Sequence, residues 1–142
     1  MDQTNQQLLQ LLTENAREST SSLARKLNLS RTAVQERINK LQTSGVIAGY
    51  TVKLNKDYEK RLIKAWVTIK LTQKLTSQVV AALSRIQEVK TLRTISGTYD
   101  LIAYVIAEDT EVIDKILDDV GKMAGIEHTI SAIELSVRLD RS

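Results

Sequence analysis

Cysteine is absent from this chain of 142 residues, and with it go a disulfide framework and any thiolate metal site. Histidine occurs once, at His128, and a lone imidazole is a poor basis for a metal or general-base centre because both need partners. Long apolar runs are missing too: LIAYVIA, residues 101–107, falls far short of the roughly 20 residues that cross a bilayer. No basic region followed by an apolar run follows Met1, so nothing there reads as a signal peptide. No paired nucleophile and base, metal cluster or phosphate loop stands out, which leaves small-molecule catalysis as the least favoured class. These gaps predict a cytoplasmic, non-enzymatic protein with no metal, no cofactor and no membrane partner. At this length the chain makes one domain or two small ones, whose modest cores would gain from self-association.

What is present is unevenly distributed. The net charge is +3, with nine Lys or Arg against six Asp or Glu in residues 1–60 and eleven of each in residues 61–142. Between Asn15 and Lys40 stand Arg17, Arg25, Lys26, Arg31, Arg37 and Lys40 against only Glu18 and Glu36, a bias that suits a polyanion. A solvated helix face is the ordinary explanation of such a bias, so charge alone decides nothing.

Periodicity orders the first third. NQQLLQLLTENA, residues 5–16, puts Leu8, Leu9, Leu11 and Leu12 on one side and predicts an amphipathic helix ending near Asn15. Ser19 or Thr20 can cap a second helix whose buried side is Leu23, Ala24 and Leu27. Ser30 caps a third, through about Thr43, where Val34, Ile38 and Leu41 form the inward stripe and Gly45 ends the run. Arg31, Thr32, Gln35 and Asn39 then face away from the core.

Beyond Gly45 the period changes. GVIAGYTVKL, residues 45–54, and IKAWVTIKL, residues 63–71, read as strands, with the polar NKDYEKR between them as linker. We expect a first domain over residues 1–50, a strand and hinge over 51–61 and a second domain over 62–142. The second domain should contain a helix from about Thr76, two strands meeting at Gly97, a helix capped near Asp109 or Thr110, and a last strand over residues 126–137. That order is β-α-β-β-α-β, a ferredoxin-like α+β fold with both helices on one sheet face. Trp66 is expected as buried strand surface. Ile102, Tyr104, Ile130, Ile133 and Trp66 cannot all face the helices, so pairing of two sheets is the natural way to hide the surplus.

Helix, helix, NLS, helix is also the order of a helix-turn-helix module, whose second signature helix enters the DNA major groove. Ser30, Arg31, Thr32 and Gln35 supply the polar N-terminal face that this requires; Arg can pair with guanine and Gln with adenine, while the Ser30 cap region offers N–H groups to a phosphate. Arg37 and Lys40 suit phosphates or acidic partners, which position without specifying, and Asn39 completes the outward face.

With these residues in view, the chain closely resembles the Lrp/AsnC family of prokaryotic transcription regulators, also called feast/famine regulatory proteins. The resemblance lies in LLQLLTENAR, LARKLNLSRTAVQERINKLQTSGVIAGYTVKLN, TISGTYDLIAYV and VGKMAGIEHTISAIELS, which cover nearly the whole chain in order. The combination of V-x-x-R-I-x-x-L-x-x-x-G-V-I-x-G-Y, from Val34 to Tyr50, with the later SGTYD is highly specific. The resemblance implies a winged-type helix-turn-helix domain, a strand serving as hinge and dimer contact, and a ferredoxin-like domain that assembles homodimers into tetramers or octamers. It further implies a cytoplasmic, nucleoid-associated protein of a prokaryote that binds double-stranded DNA and an amino-acid effector between dimers. Two departures stand out: Asn5 lies near the place of a second acid, and Ala124 precedes Gly125 where the family often has proline, a residue this chain lacks entirely.

SGTYD has an ordinary reading as a hairpin, with Gly97 turning, Thr98 exposed, Tyr99 packing and Asp100 capping. By resemblance, Gly97, Thr98, Tyr99 and Asp100 line the effector cleft, with Thr129 and Ser131 contributed from a neighbouring dimer. Asp100 could accept from an α-ammonium group, and N–H groups around Gly97 and nearby hydroxyls could donate to a carboxylate. The leading expectation is a sequence-specific regulator responding to an amino acid. The alternative is an architectural protein that compacts DNA with little sequence choice and no effector.

Overall fold

The computed structural model describes residues 1–140 and divides the chain into two compact units, Met1–Lys53 and Leu54 onward. The first is helical. Helix α1 spans Gln3–Glu14, α2 Thr20–Leu27 and α3 Arg31–Thr43. α1 begins two residues before the apolar pattern implies because the Asp2 carboxylate accepts from Asn5 N–H at 2.7 Å, capping the first turn. Ser19 caps α2 and Ser30 caps α3, each hydroxyl accepting at 3.1 Å from the N–H three residues on. Between these helices Asn28 adopts the left-handed conformation, φ 55°, which Asn tolerates better than other side-chain-bearing residues. Its N–H closes α2 on the Ala24 and Arg25 carbonyls, and Leu29 N–H returns to Ala24 O at 2.9 Å. The chain therefore turns within the three residues 28–30 and enters α3 already capped. Leu8, Leu12, Leu23, Ala24, Val34 and Leu41 form the core, with Leu27, Leu29, Ile38 and Ile47 packed around it.

Residues 45–54 do not form the expected strand. Their backbone has no ladder partner among the described residues, so the N-terminal unit is three helices followed by a segment without regular secondary structure, lacking the paired strands of a wing. Val46, Tyr50, Val52 and Leu54 are exposed along it, Val52 at 80%. Nor is NKDYEKR featureless: Asn55 caps a short helix α4, Lys56–Glu59.

The second unit carries the βαββαβ order: β1 Ile63–Leu71, α5 Thr76–Ser84 after a 3₁₀ turn at Gln73–Leu75, β2 Val89–Thr94, β3 Leu101–Ala107, α6 Thr110–Gly121 and β4 Ile126–Ile133. The strands lie in the order β2-β3-β1-β4, all antiparallel, which is the ferredoxin-like arrangement. Ala65, Val67, Ile69 and Leu71 of β1 and Leu101, Ala103, Val105 and Ala107 of β3 alternate inward against Val79, Leu83, Ile113, Ile116 and Val120 of the two helices. The last strand stops at Ile133, four residues short of expectation; beyond it Leu135, Val137 and Leu139 are exposed.

Strand alternation turns Trp66, Thr68, Ile102 and Tyr104 to the other face, joined by Ile130, which pairs with Thr68. Trp66 is thus 41% exposed rather than buried, its ring 4.4 Å from that of Tyr104 and its Nε1–H donating to Glu134 at 3.0 Å. Ile133, by contrast, pairs with Ala65 and lies on the helix-covered face, so the five residues divide between the two faces as their surplus required.

Candidate functional site

Leu23, Val34 and Leu41 anchor the helix pair, and their spacing leaves one face of α3 outward. Ser30, Arg31, Thr32, Gln35, Asn39 and Lys40 are all exposed on or beside it. Gln35 Nε2 donates to Asn39 Oδ1 at 3.0 Å, one helical turn on. The bond leaves Gln35 its carbonyl oxygen and a second N–H, the acceptor and donor that an adenine edge complements.

The basic residues of this unit are not equivalent. Arg37 is half-buried and donates from Nη1 to Asp2 at 2.7 Å and to Asn5 at 2.8 Å, so it ties α3 to the start of α1 instead of facing outward. Asn5 thereby acts as an acceptor for that guanidinium. The Arg37 hydrogen bond, followed by the Asn5 N–H, holds the Asp2 carboxyl below its ordinary pKa. Lys26 pairs with Glu18 at 2.5 Å, and the Ser22 hydroxyl adds a 2.6 Å bond to the same carboxylate oxygen. Both lower the Glu18 pKa, the lysine more. Arg25, Arg31 and Lys40 have no such partner among the described residues. Arg25 received no role from its sequence position alone, yet Ser21, Arg25 and Asn28 are spaced at four and three residues, the signal of one outward face on α2.

In the second unit, residues 97–100 join β2 to β3. Gly97 takes φ 133°, which a side chain would resist. Thr98 is exposed, and Tyr99 stacks on His128 with ring centroids 6.0 Å apart. Asp100 is engaged: Oδ2 accepts from Leu71 N–H at 2.8 Å and lies 3.6 Å from Lys70 Nζ. That N–H faces the β3 side of β1, two residues on from the Ile69 carbonyl that accepts from Asp100 N–H at 2.9 Å, so the carboxylate takes up a β1 donor just beyond the β1–β3 pairing. Thr129 and Ser131 pair with Ile69 and Val67 on the helix-covered face, whereas His128 pairs with Lys70 on the open one. Within one chain it is therefore His128 that meets the loop.

Among the described residues no group of three or more His, Cys, Asp or Glu is placed to hold a metal ion, and no helix is long and apolar enough to cross a membrane. Residues 1–42 match the AsnC-type helix-turn-helix domain, and residues 64–142 match the Lrp/AsnC ligand binding domain. The HTH-type transcriptional regulator Rv2324 of Mycobacterium tuberculosis is 31% identical over 142 residues, covering 99% of this chain and 96% of that protein. Two solved structures share the fold: E. coli AsnC, TM-score 0.91 at 21% identity over 100% of this chain and 97% of that one, and the Neisseria meningitidis transcriptional regulator NMB0573 in complex with L-Met, TM-score 0.90 at 20% identity over 99% and 93%. A capped helix-turn-helix unit followed by a ferredoxin-like unit, each matched by its own family model, places this chain in the Lrp/AsnC family of DNA-binding transcription regulators.

Proposed function

We propose that the protein is a sequence-specific regulator whose dimers bind double-stranded DNA at inverted half-sites about 34–36 Å apart, or a multiple of that distance, and respond to an amino acid held between dimers. The observation that carries the reading is the outward row Thr32, Gln35 and Asn39 on a helix fixed by Ser30 and Asn28, with unpaired Arg31 at its head. α3 enters the major groove, and Lys40 contacts the backbone at its far end. Arg37 serves indirectly by holding α3 to α1.

The open sheet face supports pairing of two copies, because Trp66 and Ile130 are 41% and 51% exposed beside Ile102 and Tyr104. Further association into tetramers or octamers sets residues 97–100 of one dimer against Thr129 and Ser131 of another. There Asp100 faces the ammonium group and the N–H groups near Gly97 face the carboxylate. The L-Met complex of the structurally similar NMB0573 favours an α-amino acid as the ligand class. Effector binding shifts the population of assembly states.

Selection of binding sites from randomised duplexes, with and without the twenty amino acids, tests the reading. An enriched inverted repeat whose yield or spacing changes with an amino acid is the expected result. Tight binding with no enriched motif would instead assign an architectural, DNA-compacting role.

A further inference from the structure

We infer that the concavity between α2 and α3 seats one phosphodiester group of the DNA backbone, held jointly by Arg25 and Arg31. The inference rests on the DNA-binding reading and adds a contact site to it. The depression is shallow and open to solvent, with Ala24 and Leu29 in its lining and Ser21, Arg25, Asn28 and Arg31 as the polar remainder. No acidic residue lines it. Every polar group there can donate: two guanidinium forks, a hydroxyl and a side-chain amide.

Partnering elsewhere in the unit sharpens the argument. Lys26 is drawn back to Glu18 and Arg37 to Asp2, so the fold has neutralised two of its cations internally. Arg25 and Arg31 are left without an internal acceptor among the described residues, although they border the same depression. Like charges so placed repel, and a shared anion converts that repulsion into attraction. Two planar forks bordering one depression suit the oxygens of a phosphate, for which arginine geometry is matched. Arg31 accordingly belongs with the backbone, and base reading passes to Thr32, Gln35 and Asn39. Its residue type alone had suggested guanine.

The test uses the full chain, a selected duplex and a random duplex, with binding followed by fluorescence anisotropy across a salt series. Circular dichroism checks that each variant keeps its helix content. Arg25→Ala and Arg31→Ala should each weaken both duplexes by the same factor and make the slope of log K against log salt shallower by about one. The double variant should also lose about one, since a single phosphate is involved. Lys26→Ala should change the slope by much less. Loss confined to the selected duplex in Arg31→Ala would return that residue to base reading and overturn the shared seat. A slope change of about two in the double variant would overturn it too, as would a Lys26→Ala effect equal to that of Arg25→Ala. Inorganic phosphate, compared with chloride at equal ionic strength, should inhibit the parent more than Arg25→Ala, because it competes with the DNA backbone for the seat; equal inhibition of the two would overturn the seat. A parent that binds neither duplex sinks the DNA-binding reading itself, before any variant is compared.

Discussion

Single residues in the first unit divide according to how far away their partners are. Ser19 and Ser30 were legible as caps because a hydroxyl and the N–H three residues on are local chemistry. The fate of Arg37 was not, since its acceptors stand 35 and 32 positions earlier in the chain. That pair makes stability depend on pH. A carboxyl held below its ordinary pKa binds fewer protons folded than unfolded, so its contribution is present above the unfolded value and is lost as pH falls through the folded one. Asp2 and Glu18 both behave this way. Urea denaturation of the parent should therefore become easier as pH drops below about 4 to 5, and Asp2→Asn should flatten part of that fall. Identical pH profiles for the two proteins would remove Asp2 from the account. On the reading face, Gln35→Ala should relax preference at one base pair by about 1–3 kcal/mol while leaving random-sequence affinity nearly intact. Asn39→Ala, which also removes the Gln35 bond worth only about 0.2–0.5 kcal/mol, should relax preference at a neighbouring base pair that Asn39 itself reads. Quantitative site profiling separates the two effects.

Whole elements were legible where both periodicity and a partner exist. β1 occupies Ile63–Leu71 as its alternation implied, because β3 and β4 flank it on either side. Residues 45–54 carry similar alternation and stay unpaired; a period of two tells which side chains share a face, not whether a neighbouring strand is there to accept the hydrogen bonds. The same reason ends β4 at Ile133. One element boundary depends on glycine. Gly125, φ 92°, leads into β4, and a Cβ there would lie 2.8 Å from Leu75 Cβ and 2.9 Å from Val79 Cγ2. Val79 is fully buried, so it has little room to yield. Gly125→Ala is expected to cost about 2–4 kcal/mol, from left-handed strain together with overpacking. A lower urea midpoint with an unchanged slope would confirm the loss, and a midpoint equal to the parent's would show that the α5–β4 junction repacks freely.

At the scale of the molecule, assembly leaves an intrinsic signal. Trp66 is the only tryptophan and stands on the open sheet face. Covering that face should shift its emission to the blue as protein concentration rises, and Trp66→Asp should lower the mass seen by sedimentation. Equal sedimentation of parent and variant would move the pairing surface elsewhere. On the proposed effector reading, residues 97–100 have a molecular-scale consequence of their own, through the Leu71 N–H that donates to Asp100. A ligand that pulls the carboxylate fully onto its own ammonium group orphans that donor, at a cost of about 1–3 kcal/mol. Occupancy then has a threshold: such a ligand must exceed the bond it displaces, a handicap of roughly 5- to 150-fold in affinity. A compound carrying only the ammonium group should then fall below it, whereas one that adds carboxylate contacts near Gly97 should clear it, which titration of an amine and its α-amino acid against the assembled protein would check. On the proposed effector reading, the loop would filter ligands by how many ends they can anchor at once, and any that pass would loosen the loop's own hold on β1, an inner strand of the sheet.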